Sequence, residues 1–231
     1  SQGWGVNLRS EYQTYHFAGH DEHVLCFGAG SSRRILIIPP LFDEMNRCRR
    51  MLVEAMRALA ERGVGSLLLD LPGCNESLAE LEGQSLGTWR EAVAAAAIQL
   101  DATHIAALRG GAHIDNGATD LPHWRLAPAK GSSLLKTMIR TRIAGDKEVG
   151  KATSEAGLMD AVETAPIELA GNLLGPAMVS ELANAEPADV ARARRWWGDD
   201  VTSFHDGSST SAPLTGVNYN AAYDECPQAA Y

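Results

Sequence analysis

A chain of 231 residues with 45% apolar and 21% charged residues can bury a core of its own, and it reads as one domain with room for an insertion. Its net charge of −9 argues against nucleic acid or an anionic membrane as the main partner. No apolar run reaches the ~20 residues that a membrane span requires. The four cysteines (Cys26, Cys48, Cys74 and Cys226) form no Cys-x-x-Cys pair and no zinc spacing with histidine, so neither a metal nor a cofactor is expected. With no signal peptide legible, the reading is a cytoplasmic protein with reduced thiols.

The first elements are two short runs, YQTYHF (12–17) and HVLCF (23–27), separated by the turn-rich AGHDE; they predict an N-terminal hairpin. RRILIIPP (33–40) is continuously apolar and ends in two prolines, which suits a buried strand and its exit. In the following segment Met45, Cys48, Leu52, Ala55, Met56 and Leu59 recur at helical spacing up to a terminating Gly63. Asp43 and Glu44 precede that helix, with Asp43 a candidate cap. VGSLLLDLPG (64–73) is a second buried strand. SLGTWREAVAAAAIQL (85–100) is an Ala-rich helix that Ser85 or Thr88 can cap, and THIAALR (103–109) is a third strand. Strand, helix, strand, helix, strand predicts a parallel sheet with crossover helices.

Beyond residue 115 the pattern weakens. A fourth strand with its exit loop is expected in DLPHWRLAPAKG (120–131), and an amphipathic helix over 132–144 carries Leu134, Leu135, Met138, Ile139 and Ile143. Residues 145–157 read as a mobile loop. Prolines at 176 and 187 open two further expected helices, 176–184 and 187–197. The core is therefore placed at about 12–131, a helical lid-like insertion at about 132–197, and an irregular tail at about 203–231.

Sites in a parallel sheet form beyond the carboxyl ends of the strands. Three such ends are legible: PPLFDEMN (39–46), DLPGCNES (70–77) and ALRGG (107–111). Together they resemble the α/β-hydrolase family. The first resembles the loop that supplies an oxyanion-hole N–H, the second a D-x-x-G-x-G-x-S turn with Asn75 at the second glycine, and the third the G-x-S-x-G nucleophile elbow. More narrowly, PPLFDEMNRCRRM, DLPGCNES, ALRGG and HWRLAPAKGSSLLKTMIRTRIA resemble the exosortase A system-associated hydrolases over roughly residues 30–145. That resemblance implies an α/β-hydrolase fold, hydrolase or acyl-transfer activity, a setting of exopolysaccharide and protein sorting, and a site around Leu41, Phe42, Gly110 and Gly111.

At the tip of the elbow stands Arg109, which stays protonated and cannot serve as an acyl nucleophile. Three readings of it compete: a structural arginine neutralised by Asp70, Asp115 or another carboxylate; a ligand for a carboxylate or phosphate; or an oxyanion holder in non-serine catalysis. The family order puts a catalytic histidine near the carboxyl end, and past residue 124 only His205, in SFHDGSS, is present. His104 and His113 flank the elbow and read as structural. Cys74 reads as an inert turn residue, and Trp196–Trp197 as packing or a lid surface. The chain is thus expected to be a silent relative that binds a small anionic or acyl ligand, or a protein partner or second copy. A non-standard active hydrolase is the alternative.

Overall fold

The computed structural model describes residues 9–118, 120–187, 190 and 193–196. A seven-stranded sheet runs in the order β1-β2-β4-β3-β5-β6-β9. Strands β1 (Glu11–Phe17) and β2 (His20–Phe27) form the expected hairpin, and β2 joins β4 antiparallel. The strands β3 (Arg34–Ile38), β4 (Gly65–Leu69), β5 (His104–Leu108), β6 (His123–Leu126) and β9 (Ala193–Trp196) are mutually parallel.

Alternation along β3 divides the core in two. Ile35 and Ile37 face helix α1 (Asp43–Glu61) through Cys48, Leu52, Met56 and Ala60. Leu36 and Ile38 face the opposite side, where α2 (Leu86–Gln99) contributes Trp89, Val93 and Ala96. Both faces are covered, so the strands are apolar throughout rather than alternating. Each fully buried leucine or isoleucine contributes about 1.5–3 kcal/mol relative to exposure. Helix α2 starts where expected: Ser85 accepts from the Thr88 N–H while Thr88 accepts from the Ser85 N–H, a reciprocal capping box.

Between β6 and β9 lie α3 (Gly131–Glu148), α4 (Glu155–Val162), the hairpin β7 (Ile167–Leu169)–β8 (Asn172–Leu174) and α5 (Pro176–Asn184). These pack on the α2 side of the sheet through Leu134, Met138, Leu158, Leu169 and Met178. Two expectations are corrected here, and one hairpin has no signature in the sequence. The stretch 145–157 is not a loop throughout: α3 continues to Glu148 and α4 begins at Glu155, capped by Ser154. The hairpin β7–β8 was not foreseen, because strands of three residues are too short to show a period. The helix expected over 187–197 gives way, over residues 193–196, to strand β9 beside β6, where edge pairing overrides local helix propensity. The tail from 203, with His205, and also Trp197 and Cys226, lies outside the described residues.

Candidate functional site

Arg109 follows the last residue of β5 and has φ +51°, the left-handed region. For a residue with a Cβ this conformation costs about 1–2 kcal/mol, so the turn is held by its surroundings. Those surroundings are close. A Cβ on Gly111 would lie 2.8 Å from the carbonyl oxygens of both Ile38 and Pro39, and one on Gly110 would lie 2.7 Å from Leu134 Cδ1. The turn is therefore pressed against the exit of β3 and the base of α3. No α-helix follows it directly. Arg109–His113 and Asp115–Ala118 are short 3₁₀ turns instead, because Gly110, Gly111 and Gly117 offer little helix propensity.

The Arg109 guanidinium meets Glu44: Nε lies 3.3 Å from Oε2 and Nη2 lies 3.5 Å from Oε1. Its Nη1 donates to the Ala127 carbonyl at 3.4 Å. With 40% of the Arg109 side chain and 20% of the Glu44 side chain exposed, this is a long, solvent-screened pair worth at most about 1 kcal/mol. Neither Asp70 nor Asp115 is the partner of Arg109. Asp70, at the end of β4, accepts from Asn75 Nδ2 at 2.9 Å. Asp115 forms a fully buried pair with Arg125. Glu44 belongs to the first turn of α1, where its negative charge also suits the helix dipole. Asp43 is also in that turn and does not cap, the cap position being Phe42.

Phe42 has φ +59° and ψ −130°, a second left-handed residue on the same rim of the sheet. Both Leu41 and Phe42 are buried. Leu41 walls Gly110, and the Phe42 ring lies 5.6 Å from that of Trp89 at 45°. Trp89 Nε1 in turn donates to the Pro72 carbonyl at 2.9 Å. The three strand-end loops are thus joined at their bases: Leu41–Phe42 to Pro72 through Trp89, and Leu41 to Gly110 directly. The side chains of Leu41 and Leu134 occupy the space beside Gly110.

The other candidates sit as follows. His113 is buried beneath the elbow and its Nε2–H donates to the Ala129 carbonyl at 2.5 Å. Burial holds its pKa below the ordinary histidine value, with the Arg90 charge acting in the same direction, so it stays neutral. The ring of His104 stacks on Trp124 at 5.4 Å and 13°. Burial pushes the Cys74 thiol up to about 12, which keeps it protonated. Burial also raises the Asp70 carboxyl, against the opposing bond from Asn75. Among the described residues no group of three or more His, Cys, Asp or Glu could hold a metal ion, and no helix is long and apolar enough to cross a membrane.

Chemically, the elbow offers a cation with five donors and no nucleophile. It faces a carboxylate that another carboxylate could displace. The missed features were Glu44 as partner and the Arg125–Asp115 pair. The only signal for either is a carboxylate and an arginine each placed near a strand end.

No protein-family model and no curated protein matches the chain. Solved structures do. Est1E from Butyrivibrio proteoclasticus, with bound ferulic acid, is similar at TM-score 0.50 and 15% identity over 75% of this chain and 71% of its own. A proline iminopeptidase from Mycobacterium smegmatis is similar at TM-score 0.41 and 15% identity, over 66% of this chain and 59% of its own. An epoxide hydrolase from Vigna radiata is similar at TM-score 0.42 and 17% identity, and the match spans only 40% of that enzyme's length. With the strand order and parallel sheet described above, the likeness to Est1E shows an α/β-hydrolase-like fold, in which α3, α4, β7, β8 and α5 are inserted between β6 and β9.

Proposed function

We propose that this hydrolase-fold chain works by binding rather than by serine acyl-enzyme chemistry. Its ligand is a small molecule bearing a carboxylate or comparable anionic group, free or at the end of an acyl chain, and it acts in the cytoplasm in an exopolysaccharide or protein-sorting setting. The observation that carries the reading is Arg109 itself. It keeps the left-handed backbone of an elbow residue while presenting a half-exposed guanidinium in loose contact with Glu44. An arginine fork matches a carboxylate in a two-pronged geometry. An incoming ligand carboxylate would take the place of Glu44 at Nε and Nη2, and Glu44 would swing to solvent. Leu41, Phe42, Gly110 and Gly111 would then frame the anion, once Leu134 and the insertion shift.

The test has two parts. The full chain is treated with a fluorophosphonate probe and with short p-nitrophenyl esters, and its melting temperature is followed against acetate, hexanoate and phosphate. The proposal expects no labelling, no turnover, and a carboxylate-dependent rise in melting temperature that Arg109→Ala abolishes. Stoichiometric labelling of a serine would overturn it in favour of an active hydrolase with a non-standard site.

A further inference from the structure

Two leucines close the apolar side of the elbow. A Cβ on Gly110 would lie 2.7 Å from Leu134 Cδ1 and 3.1 Å from Leu41 Cγ, and both leucines are buried. Gly110 is not among the residues at positive φ, so its backbone would accept a side chain. The leucines, not the turn, require glycine there. The chain thus fills the space next to Arg109 with its own apolar side chains.

Leu134 is held in place through its backbone. It lies in the first turn of α3, and its N–H donates to the Lys130 carbonyl at 3.2 Å. The loop that leads into the helix is fastened to the elbow. There the Ala129 N–H donates to the Arg109 carbonyl at 3.3 Å, and the Ala129 carbonyl accepts from His113. Towards α5, the Gly131 N–H donates to the Ala185 carbonyl at 3.0 Å, and a Cβ on Gly131 would collide with the Leu182 carbonyl oxygen. The start of α3 is therefore clamped between the elbow and the end of α5. What can move is the Leu134 side chain, from one rotamer to another.

We propose that, for a carboxylate held by Arg109 as above, Leu134 is the specificity-determining residue: its side chain gates the elbow and limits the ligand to a short carboxylate. The guanidinium is 40% exposed, so a carboxylate reaches it from solvent. A two-carbon carboxylate needs only the end of the Leu134 side chain to turn aside. A longer alkyl chain running on past Gly110 needs the whole volume that this side chain holds beside Leu41. Removing the side chain beyond Cβ opens an apolar slot there. Each ligand methylene that enters the slot strengthens binding by about fourfold.

Dissociation constants of acetate, hexanoate and hexan-1-ol are measured by NMR titration of the full chain, of Arg109→Ala, of Leu134→Ala and of the double variant. The wild type should bind acetate through Arg109, and hexanoate no more tightly. Leu134→Ala should raise the preference for hexanoate over acetate by about tenfold or more. Hexan-1-ol should show no such gain, and the double variant should lose it. A loss of stability alone does not make one ligand bind more tightly than another. Where Leu134→Ala does not fold, Leu134→Val shortens the side chain less and should shift the preference in the same direction. A wild type that already prefers hexanoate, a folded variant with an unchanged preference, or an equal gain for hexan-1-ol would each overturn the gate and leave the carboxylate site standing. Absence of Arg109-dependent acetate binding would overturn the carboxylate site itself, and the gate with it.

Discussion

Arg125 and Asp115 close a two-pronged ion pair with no exposed surface: Nε to Oδ2 is 2.7 Å and Nη2 to Oδ1 is 2.6 Å. The pair ties strand β6 to the 3₁₀ turn Asp115–Ala118, just beyond the elbow. His123 reinforces the link through the Asp115 carbonyl, 2.9 Å from its Nε2. Removing one partner strands a buried charge. Arg125→Met or Asp115→Leu should therefore each cost about 3–5 kcal/mol. The double replacement should recover much of that, since an apolar pair of similar volume avoids both desolvation costs. Urea denaturation of the four proteins measures the cycle; additive losses in the double variant would contradict the account.

The elbow's steric frame predicts a ranking. At Gly111 an added methyl meets two backbone carbonyls, which cannot yield without moving β3's exit. Gly111→Ala should cost about 1–3 kcal/mol. At Gly110 the nearest atom is the end of the Leu134 side chain, which can rotate. Gly110→Ala should be the milder change. Thermal or chemical melts that reverse this order would show that the turn is not held as described.

Backbone strain at Arg109 can be separated from its charge. Arg109→Ala keeps a Cβ in the left-handed region and loses the ion pair with Glu44. Arg109→Gly loses the same pair but relieves the strain. The glycine variant should be more stable than the alanine variant by about 1 kcal/mol. Equal stabilities would mean that the turn relaxes when the guanidinium is removed.

Much of this architecture could be read directly from residue patterns. The runs at β3, β4 and β5 are continuously apolar because both faces of the sheet are covered, and Met45 to Leu59 marked one face of α1 by period alone. Arg109 at the turn was also legible, because small residues flank it. What was not legible depends on contacts between distant residues. Arg109 could have paired with any of several carboxylates, and only the path of the β3 exit selects Glu44, 65 positions away. Phe42 at positive φ has no local signature, since nothing in its side chain favours that conformation. Likewise β9 is a strand because β6 offers an open edge, a fact carried by residues some 70 positions earlier.

Two thiols should be chemically silent in the native state. Burial, aided by nearby carboxylates, raises both Cys26 and Cys74 to about 12. At about pH 8 almost no thiolate is present at either, so iodoacetamide should leave both unmodified in the folded chain and alkylate both in urea. Mass spectrometry of tryptic peptides reads the result. Rapid native alkylation at Cys74 would revive it as a reactive group in the strand-end loop.

His113 predicts an acid limb to stability. Its folded pKa lies below 6.5, chiefly through burial, whereas the unfolded chain titrates near that value. Below 6.5 the unfolded state therefore takes up a proton that the folded state resists. Stability is intact above that pH and falls as pH drops toward the folded pKa. Asp70 has the opposite sign: its raised folded pKa adds stability in acid that is lost as pH rises through it, so the wild-type curve alone mixes the two. His113→Gln isolates the histidine, because the amide can still donate to the Ala129 carbonyl but does not titrate. Melting temperatures taken between about pH 7.5 and pH 5 should fall more steeply in the wild type than in His113→Gln. Parallel curves would mean that His113 is protonated as readily in the folded chain as in the unfolded one.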